Sequence, residues 1–307
     1  MSAAGLGRYT AWLQSRAQGE PWGTVVVRRG KIVCESYGSD ATAGSKFEIG
    51  SIRKSVASAL LGMAIAEGRL SLDSVVEQVW PDIYRLTGLE KDKQIRMRHI
   101  ASMSSGWMTQ NGPGVAWLYN NAACTAGGQV IARIYGMPDD RLAPLAAKRV
   151  AAAIGAHWDC YHYDEKFVPG NHSRTGPKLA IDSNLRDVAR YGYLWLREGE
   201  WNGARLIPRD YVREARKNQV ADLGAHYGFW WFTNDGRVLL PGAPEDAFFH
   251  IGNGKDNRRT VLLVVPSLDL VAVVGTGAGV YDITSGYLAR PIVRVDEWIR
   301  NILAAVL

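Results

Sequence analysis

Cysteine is scarce: the 307 residues hold three, Cys34, Cys124 and Cys160, far apart and without a CxxC spacing. That excludes a disulfide framework and a thiolate zinc site, and reduced, mostly buried thiols are expected. Histidine is also sparse. His99, His157, His162, His172 and His226 show no metal-ligand spacing, so neither a metal nor an organic cofactor is expected. No apolar run approaches the roughly 20 residues of a membrane span. The first twenty residues carry two arginines and a glutamate but no secretory apolar core, so residence in the cytoplasm is expected. Blocks of one charge are missing too. The net charge of +6 is spread through patches such as "VRRGK", "IRMRH" and "DNRRT" with acidic residues between them, which reads as solvated faces rather than a nucleic-acid stripe. There is no GxSxG elbow, HExxH or P-loop, and "GTGAGV" at 275–280 has no room for a following βαβ unit, which removes several common hydrolase and nucleotide-binding readings. Internal repeats and low-complexity tracts are absent.

With 47% hydrophobic residues the chain has enough apolar content for a substantial core. "GTVVVRRGKIVCESYG" reads as a β-hairpin around a Gly-containing turn. From Ser51 to Glu67 the apolar Ile52, Val56, Leu60 and Met63 recur at helical spacing, small residues fill the other face, and Gly68 supplies a stop. This helix is expected to be buried nearly all round. Residues 75–215 alternate helical stretches with long Gly-, Pro- and Asn-bearing connections. Strand-like runs return in "YGFWWFTND", "DAFFHIG", "TVLLVVPS" and "LDLVAVVGTG", and "VDEWIRNILAAVL" closes the chain as a helix. Strands at both ends and helices between them predict an α+β fold: an antiparallel sheet flanked by helices, with a mostly helical second subdomain. The expected division is one domain, 1–307, with about 1–75 plus 215–307 forming the sheet part and 76–214 the helical insertion.

Chemistry enters with "GSIRKS". Ser51 and Lys54 lie three positions apart, on one helix face and about one turn from each other. Burial disfavours an ammonium, so a desolvated Lys54 can take the serine proton. The helix N-terminus favours negative charge developing beside Ser51. Taken alone, SxxK equally describes a helix-start serine followed by an exposed lysine.

The surroundings narrow the reading. "KFEIGSIRKSVASALLGMAIAEGRLSLDSVV" resembles the first motif of serine hydrolases related to penicillin-binding proteins and class C β-lactamases, in particular carboxylesterases and 6-aminohexanoate-oligomer hydrolases. "QIRMRHIASMSSGW" is similar to the "hLLxMTSG" segment of that family. "LAIDSNLRDVARYGYLWLREGEWNGARLIPRDYV" and "PGAPEDAFFHIGNGKDNRRTVLLVVPSLDLVAVV" are similar to its later segments. Tyr119-Asn120-Asn121 matches the family's Y-x-N. The resemblance implies Tyr119 as phenolic acid/base and Asn121 as the amide that orients substrate or lysine; the bland alternative is a tyrosine packed in the core. A tyrosine acts this way when a neighbouring cation stabilises its phenolate, which assigns that part to Lys54.

Two registers of the third motif stay open: His250-Ile251-Gly252, and the overlapping Gly252-Asn253-Gly254-Lys255 followed by what looks like a short insertion. Either one places glycines where substrate approaches backbone, with one N–H of the oxyanion hole from Ser51 and one from this strand. A charged Lys255 in the site favours carboxylate-bearing substrates; without it neutral esters are favoured. Trp107 and Trp117 flank the motif segments, and Trp117 is a candidate for an apolar substrate wall. His157 and His162 are expected in a loop over the pocket. The function expected is hydrolysis of small-molecule esters, and of amides by the same chemistry, through an acyl-enzyme on Ser51 activated by Lys54 and Tyr119, with no nucleic-acid or membrane partner. The alternatives are a β-lactamase or D-amino-acid peptidase, and a catalytically silent binding domain on the same scaffold.

Overall fold

A computed structural model describes residues 3–17, 19–173, 176–254, 259–276 and 292–306. The helices are α1 (Ala3–Ala17), α2 (Arg53–Ala66), the short α3 (Val76–Val79), α4 (Asp82–Arg85) and α5 (Met97–Ala101), then α6 (Asn121–Ile134), α7 (Ala143–Ala146), α8 (Leu185–Leu196), α9 (Arg209–Ala215) and α10 (Val293–Val306). The strands are β1 (Trp22–Arg28), β2 (Lys31–Gly38), β3 (Phe47–Glu48), β4 (Asp159–His162), β5 (Leu179–Ser183), β6 (Glu200–Trp201), β7 (Ala204–Arg205), β8 (Phe232–Thr233), β9 (Phe248–Asn253), β10 (Arg259–Val265) and β11 (Leu270–Thr276).

Six strands form an antiparallel sheet in the order β2-β1-β11-β10-β9-β8. The β1–β2 hairpin turns at Arg29 and Gly30, both at positive φ, the pairing that a two-residue turn needs to match strand twist. Strands β10 and β11 are buried along almost their whole length, because both sheet faces are covered. On one face α8 comes so close that a Cβ on Gly192 would lie 2.7 Å from Leu262 and Val271. On the other, Trp298 of α10 donates to the Tyr9 hydroxyl of α1 (2.7 Å), Tyr9 contacts Thr24 (2.8 Å), and Thr24 donates to Val273 O (2.9 Å). A Cβ on Gly23 would meet Leu185 of α8 at 2.9 Å, and Gly23 and Thr24 alternate in β1, so the two helical layers contact opposite faces. The architecture is the α+β arrangement expected, an antiparallel sheet flanked by helices.

Three elements differ from the sequence reading. "YGFWWFTND" contributes only two strand residues, Phe232 and Thr233. Its earlier backbone is bound elsewhere: Trp230 N donates to Ala101 O, and Phe229 O accepts from the Ser58 hydroxyl. A second sheet, β3-β5-β4, forms partly within the region read as helices and loops. The helix α1, in a segment to which the sequence reading assigned no element, covers the sheet through Tyr9 and Leu13, both 1% exposed.

Candidate active site

Helix α2 begins after a 3-10 turn, Gly50–Ile52, and every residue from Arg53 to Ala64 is buried. An apolar helix with small residues between its large ones can be surrounded in this way. Gly50 has φ +50°, and a Cβ on it would come within 2.5 Å of the Asn253 backbone. A Cβ on Gly252 would lie 1.9 Å from Ile49 O. These two glycines let the end of β9 press against the turn that carries Ser51.

Lys54 Nζ lies 2.7 Å from Ser51 Oγ. Lys54 has no exposed surface, whereas Ser51 is half-buried. Burial above all, with the neighbouring Arg53 charge second, holds the Lys54 amine well below the ordinary lysine range. Nζ sits 4.6 Å from the centre of the Tyr119 ring, so the contact seen between the two is amine to ring face. The ring is held by stacking on Phe232 (5.9 Å, 7° between planes) and by edge contact with Tyr227. Trp117 is half-buried and packs on Tyr227 at 5.8 Å and Tyr119 at 6.4 Å. Asn121 is the first residue of α6 and half-buried. Its neighbour Asn120 fixes this corner, accepting from Ala123 N at 2.8 Å and donating to Trp107 O at 2.7 Å.

His250 is completely buried in β9. Its Nδ1 is 3.1 Å from Ile251 O; a carbonyl only accepts, so Nδ1 carries the hydrogen and Nε2 keeps a lone pair. Nε2 has no hydrogen-bond partner among the described residues. Burial above all pushes the imidazole well below its usual range, which favours the neutral ring. The His250 ring lies 5.5 Å from Phe232, the residue on which Tyr119 stacks. Gly254 follows β9, and a Cβ there would be 2.8 Å from Glu48 O. Lys255 lies outside the described residues.

The geometry therefore brings Ser51, Lys54 and Tyr119 together, with Gly252 and Asn253 beside the serine turn and His250 below them. His162 departs from the expectation of a loop. It ends β4, and its Nε2 accepts from Leu142 N at 3.2 Å. His157 precedes that strand and is exposed, with its backbone N–H on Asp187. Sequence reasoning passed over Asn120, although an Asn just before a helix is a capping signal. It also passed over Phe232, which nothing in its local pattern ties to Tyr119. The three cysteines are free, two buried and Cys160 half-buried. Among the described residues no three His, Cys, Asp or Glu side chains cluster to hold a metal, and no helix is long and apolar enough to cross a membrane.

Residues 22–279 match the family model described as Beta-lactamase. The chain belongs to that family. It is a serine hydrolase by membership, and its fold is shared with solved structures of low sequence identity. A penicillin-binding protein homolog from Caulobacter crescentus superposes with a TM-score of 0.75 at 14% identity, over 98% of this chain and 97% of that one. A D-stereospecific amidohydrolase from Streptomyces sp. gives 0.69 at 15% identity, over 91% and 95%. Among curated sequences, an uncharacterized protein of Alkalihalophilus pseudofirmus is 22% identical over 283 residues, 81% of each chain.

Proposed function

We propose that the protein hydrolyses esters, and amides by the same route, through an acyl-enzyme on Ser51. The observation that carries this reading is the 2.7 Å contact between Ser51 Oγ and a fully buried Lys54 amine. A lysine kept neutral by desolvation is a base within direct reach of the hydroxyl proton. Ser51 Oγ attacks the carbonyl carbon, and its proton passes to Lys54. The tetrahedral oxyanion is held by the N–H of Ser51 and one from the end of β9. Collapse expels the alcohol or amine, which takes the proton from Lys54 or Tyr119. Water then attacks the acyl-enzyme, giving its proton to the same pair, and the acid leaves as Ser51 is restored. The Tyr119 ring face at 4.6 Å from Nζ keeps the phenol beside the base, and two such groups titrate with apparent pKa values that belong to the pair.

The test is hydrolysis of p-nitrophenyl butyrate by wild type and Ser51→Ala protein prepared side by side. Turnover by the first and none by the second is expected; equal rates would remove Ser51 from the reaction. A second reading, β-lactam or D-amino-acid amide hydrolysis, is favoured by the family and by the amidohydrolase likeness. Nitrocefin turnover well above the ester rate would select it.

A further inference from the structure

The two aromatic residues that hold Tyr119 belong to one hairpin. Tyr227 and Phe232 pair across it as an isolated antiparallel bridge, with their rings 4.9 Å apart at 85°. One rung further out, Thr233 N donates to His226 O at 3.2 Å. The tip between the arms holds Trp230 at φ +59°, a left-handed conformation that a bulky residue keeps only where its surroundings impose it. A hairpin this short, with a strained turn, needs ties beyond its own rungs.

Those ties converge on one carboxylate. Asp235, half-buried and just past β8, contacts Thr233 Oγ1 at 2.6 Å, Asn218 Nδ2 at 2.9 Å and His226 Nδ1 at 2.9 Å. Burial alone would raise this carboxyl; the donors from Thr233 and Asn218, with His226, outweigh it and hold it below the ordinary aspartate range. It is therefore ionised at neutral pH and accepts all three bonds, and His226 Nδ1 carries the hydrogen. Thr233 and His226 stand on opposite arms, so the carboxylate spans the hairpin. Asn218 carries the link inward: its amide also donates to Ala225 O at 2.8 Å, and its Oδ1 accepts from Tyr227 N at 3.4 Å. The next residue, Gln219, donates its backbone N–H to Tyr227 O at 2.8 Å. The Tyr227 backbone is thus held through both its N–H and its carbonyl by a segment that Asp235 anchors.

We infer that Asp235 is a positioning residue for the reaction. Its bonds to Thr233, Asn218 and His226 fix the hairpin that lays Phe232 flat on Tyr119 and Tyr227 against its edge, and so set where the Tyr119 ring meets the Lys54 amine. Asp235 touches no reacting atom and acts through these two rings. The assignment rests on the reading of Lys54 and Tyr119 as the proton-transfer pair.

The experiment compares wild type with Asp235→Asn, which keeps the shape but not the charge, with Asp235→Ala and, as a control weakened on the far face of the sheet, with Tyr9→Phe. In each, 3-fluorotyrosine incorporated at Tyr119 reports the ring's surroundings by its fluorine resonance, independently of any turnover. Both Asp235 variants are expected to shift or broaden that resonance. They should also lower kcat/KM on p-nitrophenyl butyrate roughly tenfold, less than the loss of about 10² for an ångström-sized misplacement. The rising limb of kcat/KM should move to higher pH, because burial is what depresses the Lys54 amine and a loosened ring admits water. Tyr9→Phe should keep the wild-type resonance and limb. An unchanged resonance in folded Asp235→Asn, or a limb that stays in place, overturns the inference, as does a Tyr9→Phe protein that reproduces both changes. A resonance that shifts in the Asp235 variants of a protein whose wild type hydrolyses no ester would support Asp235 as the anchor of Tyr119 and defeat the esterase reading instead.

Discussion

A lysine with no exposed surface occupies a position where an apolar side chain of similar length would be more stable. Lys54→Met is therefore expected to raise the free energy of unfolding by about 1–3 kcal/mol, the usual size of a relieved buried polar group, while turnover falls by about 10³ or more. Urea unfolding and kcat/KM on the same preparations check both. The pH dependence has a fixed sign. The folded amine titrates below the unfolded one, so between the two values the unfolded chain binds more protons and stability rises with pH. Turnover rises as the folded Lys54 ammonium loses its proton, and the corresponding rise in stability should vanish in Lys54→Met. At Gly252 the added methyl of alanine meets the Ile49 carbonyl at 1.9 Å, so β9 must move. Gly252→Ala should lower kcat/KM by roughly 10², the scale of an ångström-sized misplacement, whereas Asn253→Ala, which alters an exposed side chain, should leave it near wild type. Ser51 and Lys54 were legible in the sequence because three positions on a helix fix their relation. The pose of Tyr119 was not, because it depends on Phe232, far downstream, pressing the ring flat against the lysine amine.

At the scale of elements, α6 joins the site through its cap. Asn120 Oδ1 satisfies one of the free N–H groups at the start of α6, and its amide ties the same corner to Trp107 O. Asn120→Ala should cost about 1–2 kcal/mol in chemical unfolding and lower kcat without a matching change in KM, because Tyr119 sits next to the loosened turn. Elements with a strong period were readable: the β1–β2 hairpin, α2, β9 to β11 and α10. Their faces repeat every two or 3.6 residues, and burial follows that repeat. The aromatic run before β8 has strand composition but no strand partner for most of its length, since its backbone bonds to α2 and α5 instead. For β4 and β5 the signal was hidden in short segments whose pairing is decided by long-range contact.

The whole molecule is held shut by its two ends. Trp298, Tyr9, Thr24 and Val273 form a buried hydrogen-bond chain from α10 through α1 into the sheet. Tyr9→Phe leaves the indole N–H without its acceptor and should cost about 1–3 kcal/mol, with kcat/KM on p-nitrophenyl butyrate unaltered because this chain lies on the sheet face opposite α8. The fold class was legible because strand-rich segments at both ends must meet in one sheet; the helix that seals them was not, since α1 has a weak apolar stripe with alanines and glycines between its core residues. That closure sets a timetable. Strand β1 pairs with β11 from Trp22–Thr276 to Arg28–Leu270, so about 240 residues separate the partners. At about 5–20 residues per second of synthesis, the newly made hairpin waits on the order of 10–50 s for the strand that covers its inner edge. Throughout that interval β1 presents a valine-rich unpaired edge, a ready template for another nascent chain. A charged residue placed on the outer side of that waiting edge is therefore expected to raise the soluble yield of the protein more than its equilibrium stability.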